Sequence, residues 1–427
     1  MFSVDVLGEG VDVPSVDTVL LLRPTQSATV LTQQIGRGLR EHQNKTTLTV
    51  VDLIGQQHRR FRFDTKLRAL IDSRNGRLVD QVENDFPYLP AGCEIKLDRQ
   101  SREVILSSLR AAAGAGNWSV LVDDLRRLGD VPLRAFLRDS ERSLTDLYRS
   151  RDRTWTRLRR DAGLPVAAGD EHHEALTRAI HRLLHIDDAD RVETYRRFLT
   201  AANKPAQLSE RDRRLLGMLA IDIFGRRHGF VDLDAALNAI WGNPAVRDEL
   251  AQVLAILGDE ADSATQPLDF GPLRVHARYT RDEALLALGD GSFEKPPTAR
   301  EGVRWLSDIS TDVLFVTLRK SESRYSPSTR YRDYALSSRL FHWESQSTTS
   351  RDSPTGRRYR QQRAAGTTVL LFVRESPTLA SGAGAPFTLL GPVTFVEDRG
   401  ERPIQITWQL QTPMPESLLE VARLVAA

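Results

Sequence analysis

The stretch that decides the fold reads GEGVDVP at residues 8–14, VLLL at residues 19–22 and QQIGRGLR at residues 33–40. A second apolar run, LTVVDLI, occupies residues 48–54. Continuous apolar runs of this length are typical of strands that are buried in a parallel sheet. Because residues 27–39 between the two runs favour a helix, the sequence predicts a parallel strand–helix–strand unit.

This unit is small for an independent domain. A doubly wound sheet needs about five strands, and residues 1–66 offer two or three. We therefore expect the chain to begin inside a domain.

The remainder of the 427-residue chain changes character twice, which agrees with about three domains. Residues 67–117 read as a linker region with a helix. Residues 118–262 read as a helical domain, with helices expected at residues 174–185, 211–224, 233–241 and 245–257. Residues 268–427 contain β-rich runs at residues 369–373, 387–390, 393–396 and 404–410, which predict a small β-barrel. The expected fold class is multidomain: α/β, then α, then β.

Composition excludes several classes of protein. The 59 Lys and Arg nearly balance the 57 Asp and Glu, so the net charge is only +2 and any nucleic-acid role must rest on local basic patches. A single cysteine, Cys93, excludes a disulfide framework and a multi-cysteine zinc site. No apolar run approaches the roughly 18 residues of a membrane span, and the N-terminus lacks the basic flank of a signal peptide. We expect a cytoplasmic protein without membrane contact.

The glycine-rich and arginine-rich motifs carry a recognisable chemistry. Glycines near a strand end let the backbone approach a phosphate closely, and arginines can neutralise charge on a transferring phosphoryl group. In order and spacing the motifs resemble motifs V and VI of superfamily 2 (DEAD/DEAH-type) helicases, in the second RecA-like domain. The resemblance covers about the first 65 residues.

The resemblance implies roles for individual residues. It implies that the cofactor is bound by Gly10, Asp12, Gln33 and Gly36. It also implies that Arg37 and Arg40 are catalytic, one of them as an arginine finger. The alternative is that Gly36 and Gly38 are turn glycines and the arginines are solvated.

The chain departs from a complete helicase, because it contains no G-x-x-x-x-G-K-[ST] loop and no DEAD-type box. The resemblance therefore implies that ATP and Mg²⁺ bind only when a missing N-terminal RecA-like domain completes the site, in cis or in trans. We expect no ATPase activity from this chain alone, whether it is a truncated or a split gene product.

The rest of the chain extends the resemblance. The sequence FHWESQS at residues 341–347 and LGPV at residues 390–393 resemble a C-terminal family found behind bacterial superfamily 2 helicases. Those helicases often carry a phospholipase-D-like nuclease domain, whose H-x-K-x-x-x-x-D signature is absent here. Some members resemble type IV, modification-dependent restriction enzymes. This implies a PUA/SRA-like domain at residues 268–427, DNA as a partner, methylated cytosine as the base read, and helicase and nuclease domains supplied in cis or in trans.

A basic and aromatic segment supports a nucleic-acid role on its own chemistry. Residues 303–363 contain twelve Lys and Arg against six Asp and Glu, a local charge of +6. Arginines bind phosphates and aromatic rings stack on bases, and His342 and Glu344 could help to read a flipped base. The candidate residues are Arg324, Tyr325, Arg330, Tyr331, Arg332, Phe341, Trp343, Ser345, Gln346, Arg357 and Arg358. The alternative is that Phe341 and Trp343 belong to the core and the arginines form a solvated face.

A second basic stretch lies in the helical region. Residues 126–160 contain eleven Arg against five acids, again +6. Residues 143–148 and 155–161 could form a helix-turn-helix whose arginines contact the DNA backbone. A plain three-helix packing unit is the alternative.

Histidines in the same region do not form a metal motif. His181 and His185 have i, i+4 spacing, but the H-E-x-x-H pattern fails after His173-Glu174, where Thr177 occupies the position of the second histidine. We expect no metal site.

Taken together, the residues and the resemblance predict the C-terminal portion of a DNA helicase or translocase of the restriction or phage-defence type. Two alternatives stay open. One is a non-enzymatic protein- or ligand-binding module with a vestigial helicase remnant, and the other is an RNA-directed helicase tail.

Overall fold

A computed structural model describes residues 17–21, 35, 45, 47–52, 67, 78–83, 86, 89, 93–99, 101–106, 109, 117–140, 142–205, 207–261, 266–298, 302–319, 333–379 and 383–424. The chain divides into two compact units, residues 1–123 and residues 124–427. Within the described ranges no helix is long and apolar enough to cross a membrane.

The first unit contains two short strands, β1 (Thr18–Leu21) and β2 (Thr49–Asp52). They pair in parallel, with Thr18 opposite Thr49 and Leu21 opposite Asp52. The predicted parallel pairing of the two apolar runs is therefore confirmed. Their predicted burial is wrong, because Leu20 and Val51 are 48% and 39% exposed. Ile35 between them is helical, and the other residues of the predicted helix lie outside the described ranges.

A small apolar cluster follows in the same unit. It includes helix α1 (Leu78–Glu83) and residues 101–106, which are also helical. The buried residues of this cluster are Leu67, Leu78, Val82, Phe86, Ile105 and Leu109.

The middle of the chain is helical, as predicted. Its α-helices are α2 (Trp118–Leu128), α3 (Leu133–Asp139), α4 (Leu144–Leu147), α5 (Trp155–Asp161), α6 (His173–Ala179), α7 (Ala189–Thr200), α8 (Glu210–Phe224), α9 (Leu233–Trp241) and α10 (Pro244–Glu260). A 3-10 turn, Ile180–Leu183, follows α6.

Side-chain caps define where several of these helices begin. Thr154, Asp188, Ser209 and Asp232 each accept a hydrogen bond from a backbone N–H in the first turn of the helix that follows. Such caps satisfy donors that a helix end leaves without a partner, and each contributes about 1 kcal/mol.

Helix α7 is absent from the sequence-based prediction. Its sequence, ADRVETYRRFLT, is dominated by charged residues, and the apolar periodicity is weak. The structure buries Arg191 in this helix beside Val192, Tyr195 and Leu199. The signal that could have identified α7 is the Asp188 cap together with the helical spacing of those three apolar residues.

The C-terminal region is a mostly antiparallel eight-stranded sheet, as the β-rich runs predict. The elements of this region are β3 (Gln266–Pro267), β4 (Arg274–Val275), β5 (Arg278–Tyr279), α11 (Arg281–Ala287), β6 (Val303–Leu306), β7 (Thr311–Thr317), β8 (Tyr334–Ala335), β9 (Leu340–Glu344), α12 (Pro354–Arg360), α13 (Gln362–Ala365), β10 (Thr368–Arg374), β11 (Phe387–Arg399), β12 (Gln405–Leu410) and α14 (Glu416–Leu424).

The strands of the sheet follow the order β6-β7-β10-β11-β12-β9-β8, with β5 beside β11. Within this sheet, only the β7–β10 pair is parallel. No hydrogen-bonded pair between described strands joins β6 to β8, so closure into a barrel stays a prediction.

The central strands are covered on both faces. On one face, Leu314 of β7 and Leu371 of β10 join a core that includes Trp408 and residues of α14. On the other face, Phe315 meets Phe372 and Phe387 with ring centroids 5.0 and 5.1 Å apart. This double burial explains why these strands read as continuous apolar runs.

Strand β11 corrects one detail of the prediction, because it joins runs that were expected as separate strands at residues 387–390 and 393–396. Gly391, at φ 88°, lies between them and is followed by Pro392. The left-handed backbone favours glycine here, and a Cβ would also lie only 3.1 Å from the Val275 side chain. The pairing with β10 shifts register beside this point, and the strand bends and continues.

The sheet core makes a prediction about stability. Trp408 of β12 is fully buried, whereas its neighbour Gln409 is exposed. We expect Trp408→Ala to lower the free energy of unfolding by about 3–5 kcal/mol. Gln409→Ala should change it by less than about 0.5 kcal/mol. Urea unfolding of both variants measures the difference, and equal losses would contradict this assignment of faces.

Candidate nucleic-acid interface

Two groups of predicted site residues lie outside the part of the chain that the structure describes. The first is the set implied by the helicase motifs, Gly10, Asp12, Gln33, Gly36, Arg37 and Arg40. The second comprises Arg324, Tyr325, Arg330, Tyr331 and Arg332. Their roles stay predictions.

Phe341 and Trp343 are core residues in this structure. They lie on β9 and are 0% and 4% exposed. The Trp343 ring meets Tyr359 edge-on at 5.4 Å between centroids and Trp408 at 6.3 Å. Because neither ring has a free face on which a base could stack, the arrangement favours the core interpretation.

The remaining predicted residues of this region divide by exposure. Ser345 is fully buried, and its hydroxyl accepts a hydrogen bond from the Ile404 N–H at 2.9 Å. Gln346 beside it is half-buried, whereas Arg357 is exposed. Of these residues, Arg357 is therefore the one best placed to meet a ligand.

Arg358 is held by the sheet. Its Nε and Nη2 donate to the two carboxylate oxygens of Asp312 at 2.6 and 2.8 Å. The guanidinium also lies 4.0 Å from the centroid of the Trp305 ring. A bidentate, stacked arginine of this kind is fixed in position, so Arg358 anchors α12 to β7.

The opposite face of β9 carries the polar groups. His342 and Glu344 alternate with the core residues and are half-buried. Tyr334 stacks on His342 with centroids 4.7 Å apart, and Gln405 donates to Glu344 at 3.2 Å. An aromatic pair beside amide and carboxylate groups has the chemistry to stack on a base and bond its edge.

The protonation state of His342 follows from its surroundings. Burial lowers the pKa of His342, although the negative charges of Glu344 and Asp333 act in the opposite direction. A neutral imidazole has one donor and one acceptor nitrogen. At neutral pH this face therefore offers both kinds of hydrogen bond.

A second polar site lies in the helical region, between α5, the loop before it, and α6. It is a cavity of about 210 Å³ whose lining includes four arginines and two acids. These are Arg151, Arg157, Arg160 and Arg178, with Asp152 and Glu174. The basic stretch of residues 126–160 identified the first three arginines. Arg178 was missed, because it lies 18 residues further along the chain.

The two short helices of the suggested helix-turn-helix exist as α4 and α5. The connection between them, residues 148–154, is longer than the three- to four-residue turn of that motif. Trp155 and Leu158 of α5 are buried, and Trp155 packs on Phe136 of α3 with centroids 5.2 Å apart. This geometry favours the alternative, a packed helical unit.

Glu249 of α10 fixes the start of α5. Its buried carboxylate accepts hydrogen bonds from the Trp155 and Thr156 N–H groups at 2.7 and 2.8 Å and from the Tyr148 hydroxyl at 2.7 Å. Burial raises the pKa of Glu249, while these hydrogen bonds act to lower it. The floor of the arginine-lined cavity is therefore rigid.

A buried ionic network joins the helical region to the sheet region. Arg191 of α7 is 0% exposed and donates to Asp188 and to Glu283 of α11, the latter at 2.8 Å. Its guanidinium stacks over the Tyr279 ring at 4.2 Å. His185 Nε2 lies 2.7 Å from the Glu283 carboxylate. A guanidinium, an imidazole and two carboxylates are thus buried together.

Both ring nitrogens of His185 lie within hydrogen-bond distance of an oxygen. Its Nδ1 faces the Arg182 carbonyl at 2.7 Å and its Nε2 faces Glu283, and both partners only accept. Burial acts to raise the pKa of Glu283, but the charges of His185 and Arg191 outweigh it and lower that pKa to about 2. Glu283 is therefore ionised across the physiological range.

Asp222 of α8 is a further member of the network, and its pKa is shifted in the direction opposite to that of Glu283. Its Oδ2 lies 3.6 Å from His185 Nε2 and has no hydrogen-bond partner among the described residues. Burial, and then the negative charge of Glu283, raise the pKa of Asp222 well above its ordinary value of 3.8. The Asp222 carboxyl is therefore the neutral member of the network.

The same residues are of types that bind metals. His185, Asp222 and Glu283 bring ligand atoms within 4.8 Å of one another. The sequence pattern pointed only to His185 of this set, since the carboxylates come from distant helices. Arg191 Nη1 already lies 2.8 Å from Glu283 and 3.5 Å from His185 Nε2. Because the guanidinium supplies the positive charge, we interpret the cluster as an ion-pair network.

Removing one partner of this network should destabilise the fold. We expect Glu283→Gln to lower the free energy of unfolding by about 3–5 kcal/mol, because the buried charge of Arg191 loses one of its two counter-ions. Asp282→Asn on the same helix breaks the partly exposed Arg226 pair and should cost about 1 kcal/mol or less. Urea unfolding at neutral pH compares the two. Similar costs would contradict the network's importance.

Asp222→Asn should behave differently. In the folded protein Asp222 keeps its proton, whereas in the unfolded chain it releases the proton above about pH 3.8. The free energy of unfolding of the wild type therefore falls as the pH rises. Asparagine cannot ionise, so the variant should gain stability over wild type as the pH rises above about 4. A difference in unfolding free energy that stays constant with pH would contradict the protonated state of Asp222.

Comparison with known proteins bears on both ends of the chain. Residues 1–42 match the family described as Helicase conserved C-terminal domain, and residues 273–422 match Domain of unknown function (DUF3427). A 47-residue segment is 51% identical to the Saccharomyces cerevisiae protein named "Putative ATP-dependent helicase IRC3". That match covers 11% of this chain and only 7% of the yeast protein. The chain is thus helicase-related: a segment that matches a helicase C-terminal domain is followed by a region that matches DUF3427.

Proposed function

We propose that this chain is the DNA-contacting part of an ATP-dependent helicase or translocase of the restriction or phage-defence type. The observation that carries the proposal is the helicase match over residues 1–42. That segment contains both motifs, with the residue types that such motors use to sense a nucleotide.

ATP and Mg²⁺ are used, in this proposal, by the complete enzyme. Arg37 and Arg40 face the phosphates from one side, and the N-terminal RecA-like domain supplies the G-x-x-x-x-G-K-[ST] loop that this sequence lacks. The chain alone is then a DNA-binding protein without ATPase activity.

DNA recognition falls to the DUF3427 region, which we propose to be a PUA/SRA-like domain that reads methylated cytosine. The outward face of β9 supports this role, because Tyr334 and His342 form an aromatic pair beside Glu344 and Gln405. A flipped base needs such stacking and edge hydrogen bonds. Phe341 and Trp343 serve as the core behind that face.

The proposal predicts methyl-dependent duplex binding by the full chain. Fluorescence anisotropy with a labelled duplex, with and without 5-methylcytosine, measures it from about 50 to about 200 mM salt. We expect the methylated duplex to bind about tenfold more tightly at every salt concentration, the effect of one good base contact.

Variants locate that preference. Tyr334→Ala and His342→Ala should abolish the preference for the methylated duplex, whereas Gln409→Ala, an exposed residue of the same sheet, should keep it. Equal affinity for both duplexes would contradict the reading of methylated cytosine and would indicate DNA binding without base recognition. No binding at the lowest salt concentration would contradict the DNA role and favour a protein- or ligand-binding module. Preference for RNA would favour the RNA-directed alternative.

A further inference from the structure

The arginine-lined cavity of the helical region has an excess of positive charge. Four guanidinium groups and two carboxylates, Asp152 and Glu174, line the cavity. Arg157 also pairs at 3.6 Å with Asp161, which lies outside the lining, so four positive charges and three negative charges leave +1. Arg178 lies 3.4 Å from Asp152 and 3.6 Å from Glu174, and Arg151 lies 3.9 Å from Asp152. These pairs are exposed and each contributes little stability. A stronger anion can therefore displace them.

Arg160 has a different environment. Its Nη2 lies 3.2 Å from His173 Nε2, and among the described residues no carboxylate approaches it within 4.0 Å. Since a guanidinium only donates, His173 accepts through Nε2 in this contact. The histidine thus orients Arg160 without neutralising its charge.

Further positive charge lies beside the cavity. Burial and then the charges of Arg149 and Arg157 lower the pKa of Arg153, which is the effect expected where guanidinium groups crowd together. The wider stretch, residues 126–160, carries +6. An anion in the cavity would lie within this positive field.

The floor of the cavity is built before any ligand arrives. Thr154 and Thr156 are 1% and 2% exposed, and Glu249 fixes the backbone of Thr156. On the other wall, the Thr177 hydroxyl donates to the His173 carbonyl at 2.6 Å. Rigid walls reduce the ordering cost of binding. The arginines come from three separate segments: the loop before α5, α5 itself and α6.

We propose that this cavity binds a backbone phosphate of DNA, with Arg151, Arg160 and Arg178 donating to its oxygens. A tetrahedral phosphate has enough acceptors for several guanidinium forks, and arginine binds it with charge-assisted, often bidentate hydrogen bonds. The inference rests on the proposed function, because it names where the helical region contacts the DNA that the sheet region reads. The contact positions the duplex and carries no sequence preference.

The test uses the full chain and the labelled duplex without methylcytosine. Arg160→Gln and Arg178→Gln should each weaken binding about tenfold. Each should also reduce the slope of log affinity against log salt by about 1. Arg160→Lys should fall between wild type and Arg160→Gln, because it keeps the charge but loses the fork.

The matched control is Arg138→Gln. It removes the same charge from the same basic stretch, at a residue that is 74% exposed and paired with its neighbour Asp139. It should leave affinity and salt slope close to wild type. Thermal unfolding midpoints verify that all variants are folded.

The outcomes separate this inference from the proposed function. If wild type binds the duplex and the two cavity variants match Arg138→Gln, the cavity is not the phosphate site and the proposed function stands. If wild type does not bind at low salt, both fail.

A separate titration distinguishes a phosphate of the DNA backbone from a free phosphate ion. Inorganic phosphate is titrated into wild type and variants at constant ionic strength. Binding that the cavity variants abolish, with unchanged duplex affinity, would overturn the DNA contact in favour of a free phosphate ligand. Loss of duplex affinity with no saturable binding of inorganic phosphate supports a backbone contact.

Discussion

The burial of Arg191 is the constraint on which residues 124–427 depend. A guanidinium without solvent is tolerated only where its donors find partners. Here Asp188 and Glu283 supply charge, the Arg278 carbonyl accepts at 2.6 Å, and the Tyr279 ring covers the planar face. Because these partners come from the start of α7, from β5 and from α11, the helical region and the edge of the sheet must be placed together. The network specifies an arrangement more than it adds net stability.

That arrangement matters for the proposed division of labour. The outward face of β9 has aromatic and amide groups suited to a base, and the cavity beside α5 has guanidinium groups suited to a phosphate. Each is supported by buried residues that contact no ligand: Trp343 and Trp408 lie behind the first, and Glu249 lies behind the second. A sheet face and a cavity held in one unit could engage one duplex at two points.

Local signals predicted much of the fold. The runs at residues 19–22 and 48–54 predicted the parallel pair β1 and β2, because continuous apolar runs are typical of parallel strands. Helices α8, α9 and α10 followed from apolar periodicity. Helix α7 did not, since Arg191 occupies a core position that periodicity reserves for apolar residues. Gly391 and Pro392 looked like a break between strands, but the left-handed glycine lets β11 bend and continue.

The sequence alone determined the kinds of elements, the helicase-like motifs and the location of the basic stretches. All of these depend on neighbours along the chain. The tertiary structure decided which side chains meet: Arg178 joins Arg151 and Arg160, and Glu283 joins His185 across 98 residues. It also decided that Phe341 and Trp343 face the core while His342 and Glu344 face outward. Because side chains alternate along a strand, these two pairs must lie on opposite faces of the sheet. Only the packing of α12 and α14 decides which of the two faces is buried.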